Sequence, residues 1–301
     1  MDDVTYDITD EQLREVDHRI HRALDARSLD GLKTLGFGEL GVPLAWPDDE
    51  PRLCVKRLIG TKTKAESEFL NERIGQYVDA LSPHVTVAAS ELRILNDDQG
   101  RWITYLIQPL FSSEHLVENI LEATPPERDH PVVVMIRDLC VAAAEVGRAI
   151  PDSQFSNFAW DGSTLTFFDI GTPFLFHADG SFDEGFGASM DLMPAILRPL
   201  AIREAVRISG EMGSRRGVLE HAAISAARMG LDEWLDPIVA TLNDALDDPL
   251  DVEEVREANA KRHKDMGQLK AMMKLQRAWA TKVRRQPYDF FITDSWTGEI
   301  V

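Results

Sequence analysis

Apolar residues recur at helical spacing between residues 9 and 27, with Leu13, Val16, Ile20 and Leu24 on one stripe, and Thr9 or Asp10 stands where a cap belongs. The pattern then breaks into Leu35–Trp46, a glycine-rich turn between apolar residues. Arg52–Leu58, bounded by Pro51 and Gly60, reads as a strand, and Lys62–Leu81 reads as a helix. Residues 85–95 and 101–110 form two strand patterns joined by Asn96–Gly100, a hairpin loop ending in glycine. Past Pro109 the texture is helical, over 114–122 and 131–149. A short strand-turn-strand, Phe155–Phe168, then turns at Asp161-Gly162, and helical period resumes from 188 to the end. This order predicts an α+β protein: a helical extension over 1–31, a small sheet-rich lobe over 32–110 with one main helix, and a larger, mostly helical lobe over 111–301. The hinge is expected at 108–113.

Composition narrows the picture. The chain of 301 residues is 44% hydrophobic and 28% charged, which excludes a disordered or collagen-like chain. Fifty-one acids against 32 bases leave a net charge of -19, which repels phosphate backbones and argues against a nucleic-acid platform. Cys54 and Cys140 each sit in an apolar run and read as buried free thiols of a reducing compartment. The start, Met1-Asp2-Asp3, is acidic where a secretory signal is basic. The most apolar run, Val132–Ile150, carries Arg137, Asp138, Glu145 and Arg148, too many charges for a membrane span. The expectation is a cytoplasmic protein without membrane or nucleic-acid partners.

Four features carry chemistry. Gly36-Phe37-Gly38-Glu39-Leu40-Gly41 fits G-x-G-x-x-G. A dinucleotide fingerprint opens a helix directly after its last glycine, and Pro43 and Pro47 forbid one here. Between two strands, the same glycines suit a flap whose backbone N–H groups face nucleotide phosphates. Lys56 follows on an apolar strand, where a lysine reaches phosphates as a point charge; the bland alternative is the solvent face of an edge strand. The helix over 62–81 offers Glu66, Glu68 and Glu72 as partners for that lysine. At about 100° per residue, Glu66 is the one that points with Leu70, Ile74, Tyr77 and Leu81. Thr63-x-x-Glu66 is also a capping-box pattern. Last, Asp152 and Asn157 stand in D-x-x-x-x-N spacing, and Asp169 follows an apolar strand. One carboxylate to orient a hydroxyl, with an amide oxygen and a second carboxylate to hold Mg²⁺, is what phosphoryl transfer needs.

This set resembles the protein-kinase-like superfamily, and most closely its small-molecule branch of aminoglycoside- and choline-kinase-like phosphotransferases, over roughly residues 32–180. The resemblance rests on Gly36, Gly38 and Gly41, Lys56, Gln108-Pro109, Asp152, Asn157 and Asp169, with Trp160-Asp161-Gly162 between the last two. It implies a bilobal fold with ATP in the cleft. Gly36, Phe37, Gly38, Gly41, Lys56, Glu66 and Gln108 then serve the nucleotide, Asn157 and Asp169 hold Mg²⁺, and Asp152 is the catalytic base. Ile150 and Pro151 stand where the family has His and Arg or Gly, and no A-P-E-like segment is present, which points away from a regulated protein kinase.

The function expected is ATP- and Mg²⁺-dependent phosphoryl transfer to a small hydroxylated metabolite, with a cationic acceptor favoured by the acidic chain. The alternative is an inactive, pseudokinase-like module that binds nucleotide or a partner; nucleotidyl transfer is a third reading. His18 and His21 read as surface histidines. Residues 177–187 fail the EF-hand pattern and read as a loop. Residues 261–285 hold nine Lys or Arg with apolar residues at helical spacing. They read as a helix that packs its apolar stripe and pairs its charges with the acidic stretch 244–257, or that meets a protein partner.

Overall fold

The computed structural model describes residues 4–36, 43–58, 60–98, 100–183, 206–207, 209–283 and 285. Helix α1 (Asp10–Ala26) starts at Thr9, which forms a reciprocal capping box with Gln12. Strands β1 (Pro43–Trp46) and β2 (Leu53–Arg57) precede α2 (Lys64–Leu81). Strands β3 (Thr86–Val87), β4 (Glu91–Asn96) and β5 (Trp102–Pro109) follow. Next come α3 (Val117–Ala123) and α4 (Pro131–Val146), then β6 (Phe158–Trp160) and β7 (Leu165–Phe167). Helices α5 (Arg215–Arg228), α6 (Leu235–Asn243) and α7 (Val252–Ala278) complete the described chain.

The first sheet is antiparallel, in the order β1-β2-β5-β4. Six consecutive residues of β5, Ile103 to Gln108, are buried, because both faces of the sheet are covered. Ile103, Tyr105 and Ile107 join Val55 and Leu44 against Leu13, Val16, Ile20 and Leu24 of α1. Leu106 and Leu58 face the other way, toward Ile74, Tyr77 and Leu81 of α2 and a core that runs on through α4, α5 and α6. The segment before residue 32 is therefore half of the sheet's own core. Alternation along β2 assigns its polar residues too: Arg57 points with Val55 to α1, and Lys56 points with Leu58 to α2.

The sequence expectation of one strand over 85–95 is corrected. Thr86–Val87 leaves the first sheet and pairs parallel with β7, completing a second sheet in the order β3-β7-β6. The break falls where the Ala88 N–H donates to Phe167 O and the Ser90 hydroxyl donates back to Ala88 O. Likewise, Phe155–Asn157, expected as strand, is a 3-10 turn. The chain is thus α+β, a small antiparallel sheet followed by a helical region. Among the described residues no helix is long and apolar enough to cross a membrane.

Candidate functional site

Lys56 is not on a solvent face. Strand β2 lies between β1 and β5, and the lysine side chain is mostly covered. Its Nζ donates to Asp169 Oδ1 at 2.8 Å, a contact across 113 residues of sequence. Burial works against its charge, but the charge and hydrogen bond of Asp169 outweigh burial and hold the ammonium above its ordinary value. Gly171 leaves room for this pair: a Cβ there would sit 3.2 Å from Leu58 Cδ2 and 3.6 Å from Lys56 Nζ. Cys54, on the same face, has its thiol pushed up to about 12, by burial first, against the pull of Lys56 and with a smaller push from Asp169.

The turn after α4 brings the second group. Gly147 closes that helix in the left-handed region, at φ 65°. Tyr77 of α2 then donates to Ile150 O at 2.9 Å, fixing the backbone just before Asp152. Asn157 Nδ2 donates to Asp152 O at 3.2 Å, and the Phe168 N–H donates to Asn157 O at 3.1 Å. Asp152, Asn157 and the residue before Asp169 are therefore tied into one backbone knot. Gln108 joins it from β5, donating to Phe168 O at 2.8 Å and to Ser90 Oγ at 3.0 Å.

With its amide nitrogen spent on Asp152 O, Asn157 keeps its amide oxygen for a ligand, and Asp169 keeps the carboxylate oxygen that Lys56 does not take. Two oxygen donors with a lysine alongside fit a hard divalent cation that also holds phosphates.

Asp152 has partners that the sequence did not disclose. Its Oδ1 lies 3.0 Å from His221 Nε2, and its Oδ2 accepts from Gln154 Nε2 at 2.8 Å. Behind the imidazole, Arg262 Nη1 of α7 lies 2.7 Å from His221 Nδ1. A guanidinium has only donors, so Nδ1 is the acceptor and the ring proton sits on Nε2, aimed at Asp152. Burial raises the Asp152 carboxyl, but the His221 hydrogen bond, then Gln154 and Arg228, prevail and hold it below the usual range. Arg262, His221 and Asp152 form a chain whose outer member comes from the C-terminal helix.

Glu66 is corrected. Its carboxylate accepts the backbone N–H groups of Lys62 and Thr63, each at 2.9 Å, while Thr63 Oγ1 caps the Glu66 N–H. The capping box claims the side chain, and Lys56 is paired with Asp169 instead. In the glycine flap, Phe37, Gly38 and Gly41 lie outside the described residues. Gly36 lies at its start, with φ 143°. The flanks approach as a hairpin, Leu35 N–H to Pro43 O at 2.9 Å, with Thr34 bridged to Leu44.

Two further expectations change. His21 is not a surface histidine; it lies 3.2 Å from Asp17 and 3.1 Å from Arg101. Asp17, His21 and Asp97 have donor atoms within 4.8 Å of one another. Two guanidinium groups already occupy those carboxylates, Arg57 on Asp17 at 2.5 Å and Arg101 on Asp97 at 2.7 Å. This is an ion-pair network, closed to a cation. Two acids of the stretch 244–257 pair outside the basic helix. Asp244 pairs with Arg128, and Asp248 with Arg216. Helix α7 carries the last acids of that stretch as well as the basic residues, with Glu253 3.4 Å from Arg256, and near its far end Arg277 donates to Leu24 O of α1.

These features define an α+β protein with a lysine–carboxylate pair set against an Asp–Asn knot. A model described as a family of unknown function (DUF6206) matches residues 16–280, and the chain belongs to that family. No curated protein matches it.

Proposed function

We propose that this protein is an ATP- and Mg²⁺-dependent phosphotransferase with a bilobal, protein-kinase-like arrangement, acting on a small hydroxylated metabolite. One observation carries the reading: the Lys56–Asp169 contact at 2.8 Å joins the sheet's lysine to the carboxylate that follows the Asp152/Asn157 turn. Chance nearness of a lysine and an aspartate does not account for the Asn157 and Gln108 bonds on the neighbouring Phe168 backbone.

Mg·ATP, when bound, supplies the phosphoryl group and the neutralising cation. In this reading Lys56 holds phosphate oxygens, and Asp169 with the Asn157 amide oxygen holds the metal. Gly36 to Gly41 cover the nucleotide, and Gln108 keeps the sheet locked to the metal carboxylate. Asp152, kept ionised by His221 and Gln154, accepts the acceptor's hydroxyl proton. Most of the acceleration comes from positioning and charge placement. Free Cys54 and Cys140 agree with a cytoplasmic setting.

The second reading is a binding module without turnover. It is favoured by Asp152, whose two carboxylate oxygens both already have protein partners. A carboxylate has about four lone-pair sites, so an acceptor hydroxyl still has room.

Thermal unfolding with and without Mg·ATP, on wild type and Asp169→Ala, tests the proposal. A rise in melting temperature that needs Mg²⁺ and is absent from the variant is expected, because a ligand specific for the native state stabilises it by about 2.7 kcal/mol at 100-fold its dissociation constant. No rise at millimolar Mg·ATP overturns it. Turnover separates the two readings.

A further inference from the structure

Beside Asp152 stand two arginines that, among the described residues, make no ion pair. Arg262 spends one of its five N–H donors on His221 and, among the described residues, makes no ion pair. Arg228 stands on α5, seven residues or two turns beyond His221, hence on the same face, and makes neither a hydrogen bond nor an ion pair among the described residues. Helices α5 and α7 pack on each other, and the charge of Arg228 bears on both Asp152 and Arg262. Arg228 and Arg262 are exposed residues, whereas the side chains of His221 and Asp152 are largely covered.

This arrangement is costly in a chain of net charge -19. With 51 acids available, most arginines find one: Arg57, Arg73, Arg93, Arg101, Arg128 and Arg216 all do. Arg228 and Arg262 repel each other instead, and partial burial, followed by that repulsion, lowers the Arg262 guanidinium below its ordinary value. Glu220, Glu211 and Asp152 pull the other way, but none comes within ion-pair reach of Arg262, and Glu211 pairs with Arg207 at 2.8 Å. Two guanidinium forks with no ion pair, one holding His221 by a single N–H, are a receptor for a small anion.

We infer that Arg228 and Arg262 form the acceptor's anion subsite: the acceptor carries a carboxylate or phosphate group that the two arginines hold while its hydroxyl meets Asp152. This rests on the phosphotransferase reading of Asp152 and sharpens its acceptor class. It reverses the cationic acceptor favoured by bulk charge, because a local pair of arginines decides recognition where a screened net charge of distant acids does not. Arg262 has a double task, since the same side chain fixes the His221 tautomer.

Inorganic phosphate and succinate are the probes, titrated separately into the full chain at ionic strength fixed with sodium chloride. Affinity is read by calorimetry and by the shift in melting temperature. The proteins are wild type, Arg228→Gln, Arg262→Gln, Arg228→Lys and Asp169→Ala, with circular dichroism to check folding. Wild type should bind at least one probe, and the better of the two names the anionic group. Each Arg→Gln variant should weaken that binding about tenfold or more, and Arg228→Lys should recover part of it. Asp169→Ala should bind the probe as wild type does while losing its response to Mg·ATP.

The inference is overturned if neither probe binds wild type, if the Arg→Gln variants bind as wild type does, or if binding is lost in Asp169→Ala, since the anion then sits at the nucleotide position. Stabilisation by spermidine in place of either anion overturns it as well. If wild type binds the anion through the arginines but does not respond to Mg·ATP, the anion site stands and the phosphotransferase reading falls.

Discussion

Two of the charge clusters among the described residues lie on opposite faces of the same strand. Arg57 faces α1 and meets Asp17, with Asp97, Arg101 and His21 completing a closed set. Lys56, the next residue back, faces α2 and meets Asp169. In the first cluster the side chains of Asp17, Arg57 and Asp97 are at most 4% exposed. In the second, Lys56 and Asp169 are 15% and 24% exposed, and a carboxylate oxygen and an amide oxygen stay unspent. A closed charge network holds elements together; an open one holds something else. Adjacent residues of one strand serve the two ends, because a strand points successive side chains to opposite faces.

The largest expected contrast is in stability. Arg57→Ala strands Asp17 in the core and should cost about 3–5 kcal/mol, the usual penalty for leaving one member of a buried pair alone. Lys56→Ala leaves Asp169 better solvated and should cost about 1–3 kcal/mol. Urea unfolding of both variants measures the difference; equal losses would mean that the Lys56 pair is as structural as the other.

Acid should sharpen the same contrast. Burial raises the Asp17 carboxyl, but the His21 hydrogen bond and then the Arg57 charge overcome it and depress it far below the ordinary aspartate value of 3.8. A depressed carboxyl contributes stability that is fully present above its unfolded value, about 3.9, and is lost as pH falls below it. The urea midpoint of wild type should therefore drop between about pH 5 and pH 3, and Asp17→Asn should flatten that slope while lowering the midpoint at neutral pH. An unchanged slope in the variant would remove Asp17 from the account.

The two clusters differ in how far sequence alone could reach them. Alternation along Leu53–Arg57 places Lys56 with Cys54 and against Arg57, and the order of Asp152, Asn157 and Asp169 suggests their association. The partner of Lys56 is 113 residues away, however, and no local pattern names it. His221 lies among Ala222, Ala223 and Ala226, where a lone histidine on a small-residue helix looks like packing. Its part appears only when α5 sets it against Asp152 and α7 brings Arg262 behind it. Charge blocks gave only part of the answer: Asp244 and Asp248 pair with Arg128 and Arg216, which no local pattern names, whereas Glu253, Glu254 and Glu257 share one helix with the basic residues. The α1 stripe, the β4–β5 hairpin and the Thr9 cap were legible because each depends on neighbours within a few residues.

A smaller effect is a tautomer. With Arg262 donating to Nδ1, nitrogen NMR of His221 should show the proton on Nε2 in wild type near neutral pH. Arg262→Met frees Nδ1 and should leave a mixture of tautomers, or the cation, with little change in the melting temperature. A wild-type ring protonated on Nδ1 would dissolve the Arg262–His221–Asp152 chain.

Glu66 gives the smallest effect and the cleanest division between structure and site. Helical phase turns it toward the apolar face, yet Ser67 is the buried residue there and Glu66 is only half-buried. At the third position of α2, free N–H groups of the first turn compete for any nearby carboxylate, and those of Lys62 and Thr63 win it. Glutamine serves the same box, so Glu66→Gln should cost only a few tenths of a kcal/mol. Thr63→Ala, which removes the cap itself, should cost about 1 kcal/mol. Neither should alter stabilisation by Mg·ATP, because neither side chain touches Lys56. Loss of that stabilisation in Glu66→Gln at unchanged stability would return Glu66 to the lysine and overturn the capping assignment.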